Sequence, residues 1–113
     1  MQPILKNKAA LRKSLVGFPT SVIAVLYEDH LEIQDKGGRP MMNYRLNQLT
    51  DAVKGWGIIR FKVDGQLVVL EFVSTVNKFF CPLGMLLSSG RRIAVQWQEA
   101  LSQRGVSVKS KIV

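Results

Sequence analysis

The chain is short of most of what chemistry and crosslinking need. It holds one cysteine, Cys81, and one histidine, His30, in 113 residues. A lone cysteine excludes an internal disulfide and leans toward a reducing compartment. One His and one Cys 51 positions apart are a poor start for a metal site, which needs several N, S or O ligands at workable spacing, so no metal or cofactor is expected. No apolar run approaches the roughly 20 residues that span a bilayer. Ser14–Tyr27 is broken by Gly17 and Pro19, and Phe79–Leu87 by Pro82 and Gly84. The basic start followed by an apolar stretch imitates a leader, but Pro19 and Thr20 interrupt it and no small-residue cleavage site follows, so it reads as a core strand. There is no Asn-x-Ser/Thr acceptor and no phosphate-binding glycine fingerprint, because Gly55-Trp56-Gly57 is too short. His30 has no local partner to make it a base for Cys81 or a serine, and the neighbouring carboxylates Glu28, Asp29 and Glu32 suit a solvated turn. The expectation is a protein of the cytoplasm or of the membrane periphery that is not an enzyme.

What is present is a positive charge of +8 and a hydrophobic content of 47%, enough for one folded domain. The charge is uneven. Seven of the eight acidic residues fall between Glu28 and Glu71, where six basic residues nearly cancel them. The flanks carry ten basic residues against one acid, Glu99. Lys6, Lys8, Arg12 and Lys13 lie at the start, and Lys78, Arg91 and Arg92 lead the second group. Such flanks attract phosphates or acidic protein surfaces, or they simply keep a small domain dissolved. Lys6, Lys8, Arg12, Lys13, Lys78, Arg91 and Arg92 are therefore the candidate anion-binding residues.

Hydrophobic periodicity divides the chain into a basic arm (residues 1–13, loose or briefly helical), a folded part (14–105) and a tail (106–113). Thr20–Glu28 is rich in β-branched residues and reads as a strand, as do the alternating Leu31–Asp35 and Met41–Leu46. Gln48–Trp56 is a short strand or a bend. Ile58–Val63 and Gln66–Val73 flank Asp64-Gly65, a pair suited to a type I′ hairpin turn. Pairing Val63 with Gln66 puts Ile59, Phe61, Val68, Leu70 and Phe72 on one face and Arg60 and Lys62 on the other. The Glu28-Asp29-His30 turn leaves two registers open. A two-residue Asp29-His30 turn takes Leu26 and Ile33 inside and leaves Ile23, Val25 and Tyr27 outside, whereas a three-residue turn inverts this. Arg91–Arg104 is strongly helical, with Ile93, Trp97, Ala100 and Leu101 on one stripe, Ser88 or Ser89 as N-cap and Gly105 as stop.

Strands Val22–Val73, the polar turns between them and the closing W97-Q-E-A-L101 resemble a small bacterial-type pleckstrin-homology or GRAM-like domain. The resemblance covers roughly residues 15–105 and rests on element order. It implies a mainly β (α+β) fold: a small antiparallel β-barrel, or two orthogonal sheets, capped by one C-terminal helix whose Trp97 plugs the core. It further implies a non-enzymatic binding module meeting an anionic membrane lipid or an acidic protein. Phosphoinositide-binding members carry lysines and arginines around the first hairpin loop, where this reading finds the acidic Glu28-Asp29. Trp56, between two glycines, packs on the barrel end or offers an exposed aromatic. Alternatives are a small nucleic-acid-binding barrel, favoured by charge but lacking a stacking stripe of aromatics, and a homo-oligomer joined through Ile23, Val25 and Tyr27.

Overall fold

The structure, a computed structural model, describes residues 2–13, 19–55, 57–72 and 83–110, with backbone alone for 83–89 and Arg91. The strands are β1 (Leu5–Arg12), β2 (Thr20–Leu26), β3 (His30–Gln34), β4 (Pro40–Arg45), β5 (Thr50–Lys54), β6 (Ile58–Val63), β7 (Gln66–Glu71) and β8 (Val108–Ser110). A 3₁₀ turn, Leu46–Gln48, precedes β5, and the helix α1 runs from Leu83 to Gln103. The protein is thus mainly β with one C-terminal helix. Among the described residues the eight strands make one sheet in the order β4-β3-β2-β1-β7-β6-β5-β8, with β4 and β8 as its edges and no closure into a barrel.

The N-terminal segment is the main correction. It is neither a loose arm nor a helix, but the strand β1 at the centre of the sheet. Leu5–Leu11 pairs with β2, and Ala10–Arg12 also pairs with β7. β1 is therefore the seam between a half-sheet of β1–β4 and a half-sheet of β5–β8. Its side chains alternate, with Leu5, Asn7, Ala9 and Leu11 inward and Lys6, Lys8, Ala10 and Arg12 outward.

The reason for a polar residue on the inner face is a single hydrogen bond. The fully buried Trp97 donates its indole Nε1–H to the Asn7 side-chain oxygen at 2.8 Å. A buried indole needs an acceptor, and an apolar residue at position 7 could not supply one. Trp97 also stacks on Phe72, with ring centroids 5.5 Å apart. Ala94 and Leu101 join it in one core cluster with the inner faces of both half-sheets.

The β6–β7 hairpin has the expected register, with Val63 opposite Gln66, Phe61 opposite Val68 and Ile59 opposite Leu70. Asp64 and Gly65 both take positive φ (51° and 79°), as a type I′ turn requires. The β2–β3 hairpin turns on Glu28-Asp29, one residue earlier than expected, because Tyr27 and His30 already pair through Tyr27 N–H to His30 C=O at 2.9 Å. Leu26 and Ile33 do face inward. The segment Gln48–Trp56 contains a strand, β5, carrying a bulge at Asp51 (φ 50°). The extra residue resets the alternation, so that Ala52 is buried and Val53 faces out opposite Arg60.

The helix starts two turns before the expected Arg91, so Ser88 and Ser89 lie inside it and neither is an N-cap. Gly90 does not break it: an interior glycine costs about 1 kcal/mol, which helix propagation through adjoining turns outweighs. The stop is where expected. Gly105 (φ 88°) donates to Ser102 C=O and Val106 N–H to Leu101 C=O at 3.0 Å, the paired bonds of a Schellman motif. Residues beyond it are not simply a tail, because Val108–Ser110 forms β8 parallel to β5. Gln98 fixes it by donating to Val108 C=O (3.1 Å) and the Ser110 hydroxyl (2.9 Å).

Two measurements check these assignments. Asn7→Ala strands the buried Trp97 N–H and should lower unfolding free energy in urea by about 1–3 kcal/mol. The same change in a Trp97→Phe background should cost clearly less, since the donor is gone. Gly105→Ala should cost about 1 kcal/mol or more, because its φ disfavours any side chain.

Candidate functional site

Chain direction sorts the connections to two ends of the sheet. β1 runs toward the connection 13–19, and β2 returns from it. The β3–β4 turn (35–39) and the β6–β7 turn (Asp64-Gly65) fall at that same end by register. The β2–β3 turn lies at the other. Because β1 is a strand, the first antiparallel pair of the sheet is β1–β2, and Glu28-Asp29-His30 follows the second strand. Arg12 and Lys13, at the end of β1, are basic.

The β3–β4 turn at the same end is built to present cations. The Asp35 carboxylate accepts from Gly37 N–H and Arg39 N–H, each at 2.9 Å, and Asp35 C=O accepts from Gly38 N–H at 3.0 Å, with Gly38 at φ 86°. Those bonds satisfy the one carboxylate of the turn locally and hold Lys36 and Arg39 exposed. Lys13 is also exposed. At the opposite end the acidic turn is occupied. Glu28 pairs with Arg104 at 3.3 Å, and Arg104 also donates to Ala100 C=O at 2.8 Å. Asp29 contacts His30 Nδ1 at 2.6 Å, and the His30 ring stacks on Tyr27 with centroids 4.5 Å apart. That hydrogen bond, chiefly, holds the Asp29 carboxyl below its ordinary 3.8. At β4, burial pushes the Tyr44 hydroxyl above its ordinary 10.0, and its O–H points to Met42 Sδ at 2.9 Å.

The candidate residues do not converge on one patch. Lys6, Lys8 and Arg12 share the outer face of β1, with Lys6 and Lys8 exposed, and Arg12 pairs with Glu71 at 3.1 Å. Lys13 stands at the loop end. Arg92 is exposed on α1. Lys78, Trp56, Cys81 and the Arg91 side chain lie outside what is described. Ile23, Val25 and Tyr27 do not form an open apolar face: Val25 is 1% exposed, and the other two are half-buried. Lys36, Arg39, Arg60, Lys62 and Lys109 are further cations at the surface; sequence placed Arg60 and Lys62 on the outer face of their hairpin, but none of the five was among the candidate anion-binding residues. The signal for the first two was the Gly-Gly turn itself, whose backbone must throw its flanking side chains outward. Among the described residues no three His, Cys, Asp or Glu side chains group to hold a metal, and no helix is long and apolar enough to cross a membrane.

No protein-family model and no curated protein sequence matches the chain. Solved structures do match its fold. A solution structure of a pleckstrin-homology domain superimposes with a TM-score of 0.52 at 14% identity, covering 88% of this chain and 90% of that one. The Vav1 exchange factor, in a structure of its pleckstrin-homology and C1 domains, gives 0.63 at 16% identity over 91% of this chain. A linker-DH/PH fragment of p115-RhoGEF gives 0.59 at 10% identity over 90%. The chain spans about a quarter of the Vav1 chain and under a third of the p115-RhoGEF one (25% and 30%). The fold is pleckstrin-homology-like.

The assignment at the acidic turn is open to titration. The Asp29 carboxyl should titrate below 3.8 by NMR, and His30→Ala should move it back up. Because the folded value is depressed, the stabilisation it carries is present above the ordinary carboxylate range and is lost as pH falls through the depressed value.

Proposed function

We propose that this is a non-enzymatic binding module recruited to an anionic membrane surface through the loop end of its sheet. The observation that carries the reading is the placement of the turns. Arg12 and Lys13, at the end of β1, share the loop end of the sheet with the Asp35-pinned turn bearing Lys36 and Arg39 and with the Asp64-Gly65 turn, while the acidic Glu28-Asp29 turn sits at the far end, engaged by Arg104 and His30. The pleckstrin-homology resemblance implies basic residues around the first hairpin loop, and with β1 in place this chain meets that pattern at Arg12 and Lys13. The basic flanks act unequally in this reading: Lys13 works at the loop end, whereas Lys6 and Lys8 lie along the outer sheet face.

Each basic residue near an anionic bilayer contributes about 1 kcal/mol, screened within a Debye length of roughly 10 Å at 0.1 M salt. Co-sedimentation with neutral and anionic vesicles at two salt concentrations, with solution mass measured alongside, should show binding to anionic vesicles only, weakening with salt. Replacing Lys13, Lys36 and Arg39 together by Ala should reduce vesicle affinity on the order of a hundredfold. Equal binding to neutral vesicles, or a triple variant that binds like the parent, would count against the proposal.

A further inference from the structure

The outer face of the second half-sheet carries a row of charge of which the loop-end reading uses only Arg12. Reading across the strands by register, Arg12 on β1 lies opposite Val69 on β7, Val69 opposite Arg60 on β6, Arg60 opposite Val53 on β5, and Val53 opposite Lys109 on β8. Cation and valine alternate across five strands. The bulge at Asp51 creates this pattern, because without the extra residue Ala52 would take the place of Val53 and every β5 side chain beyond the bulge would change faces. Neighbouring strands are about 4.8 Å apart, so the three cations stand about 10 Å from one another along a line about 20 Å long. Lys62, two residues beyond Arg60, adds a fourth.

The row is recessed. Arg12 and Arg60 are half-buried, and Val69 between them is 5% exposed. Arg12 spends one terminal nitrogen on Glu71 at 3.1 Å, and its Nε is buried with no partner among the described residues. Lys62 and Lys109 are exposed.

We infer that this row docks an acidic, extended protein segment bearing a carboxylate at every third residue. An extended chain in the polyproline II conformation repeats every three residues, or about 9.3 Å, and so puts every third side chain on one side. That period matches the cation spacing set by alternate strands. A carboxylate on a side chain reaches into a recessed guanidinium site and takes two parallel hydrogen bonds there, while the intervening valines meet the segment's smaller apolar groups. Half-sunk arginines are poorly disposed toward the plane of a bilayer. The exposed large apolar side chains among the described residues, Met41 and Val95, are on β4 and α1, so this face brings none to insert. It also carries no described aromatic on which bases would stack. The face and the loop end share only Arg12, and Arg60 and Lys109 belong to the face alone, so this inference stands independently of the membrane reading.

The test uses the intact protein and a labelled peptide of four Glu-Pro-Pro repeats, with Gln-Pro-Pro as its neutral counterpart, anionic vesicles and a DNA duplex in parallel, by fluorescence anisotropy or co-sedimentation. Saturable binding of the Glu peptide is expected, at least tenfold tighter than the Gln peptide. Amide shifts in the bound protein should concentrate at Arg12, Val69, Arg60, Val53 and Lys109. Arg60→Glu with Lys109→Glu should weaken Glu-peptide binding at least tenfold, and Lys36→Glu with Arg39→Glu by less than twofold. Should the first pair unfold the sheet on melting, Arg60→Gln with Lys109→Gln should still weaken binding at least threefold. Equal binding of the two peptides, shifts confined to the loop end, or no saturable peptide binding would overturn the inference. Loss of vesicle or duplex binding in the Arg60/Lys109 variant, with the peptide unbound, would overturn it in favour of a membrane or nucleic acid.

Discussion

The architecture depends on one hydrogen bond across the width of the molecule, from the Trp97 indole to Asn7. It joins the strand that both half-sheets share to the helix that covers their inner face. Without β1, β2 and β7 have no common partner, and the sheet divides into two short ones with raw edges. Without Trp97, the core loses its largest buried side chain and Asn7 becomes a polar group facing hydrocarbon. Each residue makes the other's position tolerable, which is why an amide is found on the buried side of a central strand.

The same seam determines what can be done with charge. Its outward side chains are held in register with those of its neighbours: Lys6 beside Val25 and Lys8 beside Ile23 on β2, and Arg12 beside Val69 on β7. Lys6, Lys8 and Arg12 are thereby parts of a surface and not of a flexible arm. Some acidic residues are engaged by a neighbour: Asp35 by its own turn, Asp29 by His30, Glu28 by Arg104 and Glu71 by Arg12. Asp51, Asp64 and Glu99, by contrast, face solvent, as do most of the basic residues.

Much of the fold was legible where local rules and burial agree. Asp64-Gly65 between alternating runs dictated a hairpin and its register, and Gly105 after an apolar stripe dictated the helix stop. Legibility failed where a local rule was overridden from a distance. Asn7 and the two alanines disguised β1, although the spacing of Lys6, Lys8, Leu5 and Leu11 held a period of two. Missing that strand displaced the numbering of the hairpins, so the acidic turn was taken for the first loop. Ser88-Ser89-Gly90 resembled a helix start, yet the helix runs through them. The loop-end cations were partly hidden for a different reason: Lys36 and Arg39 sit in the stretch whose charges nearly cancel, and only the sheet shows that their acidic neighbours are turned away or engaged. Of the outer row only Arg60 and Lys62 could be read, since the rest depends on β1 being a strand, on β8, and on a one-residue bulge that changes which side of β5 faces out.

The seam also bears on time. Asn7 and Trp97 are separated by 90 residues, and β1 meets β7 across almost sixty. Contacts between such distant parts of a chain form slowly, because loop-closure entropy is lost before the contacts reward it. On a ribosome, the first strand can pair with β2 at once, but its second edge stays unpaired until β7 has emerged, and the indole that relieves Asn7 comes later still. The central strand of the finished sheet is therefore an edge for much of its synthesis, and its row of outward lysines and arginine is what keeps that temporary edge from pairing with another chain.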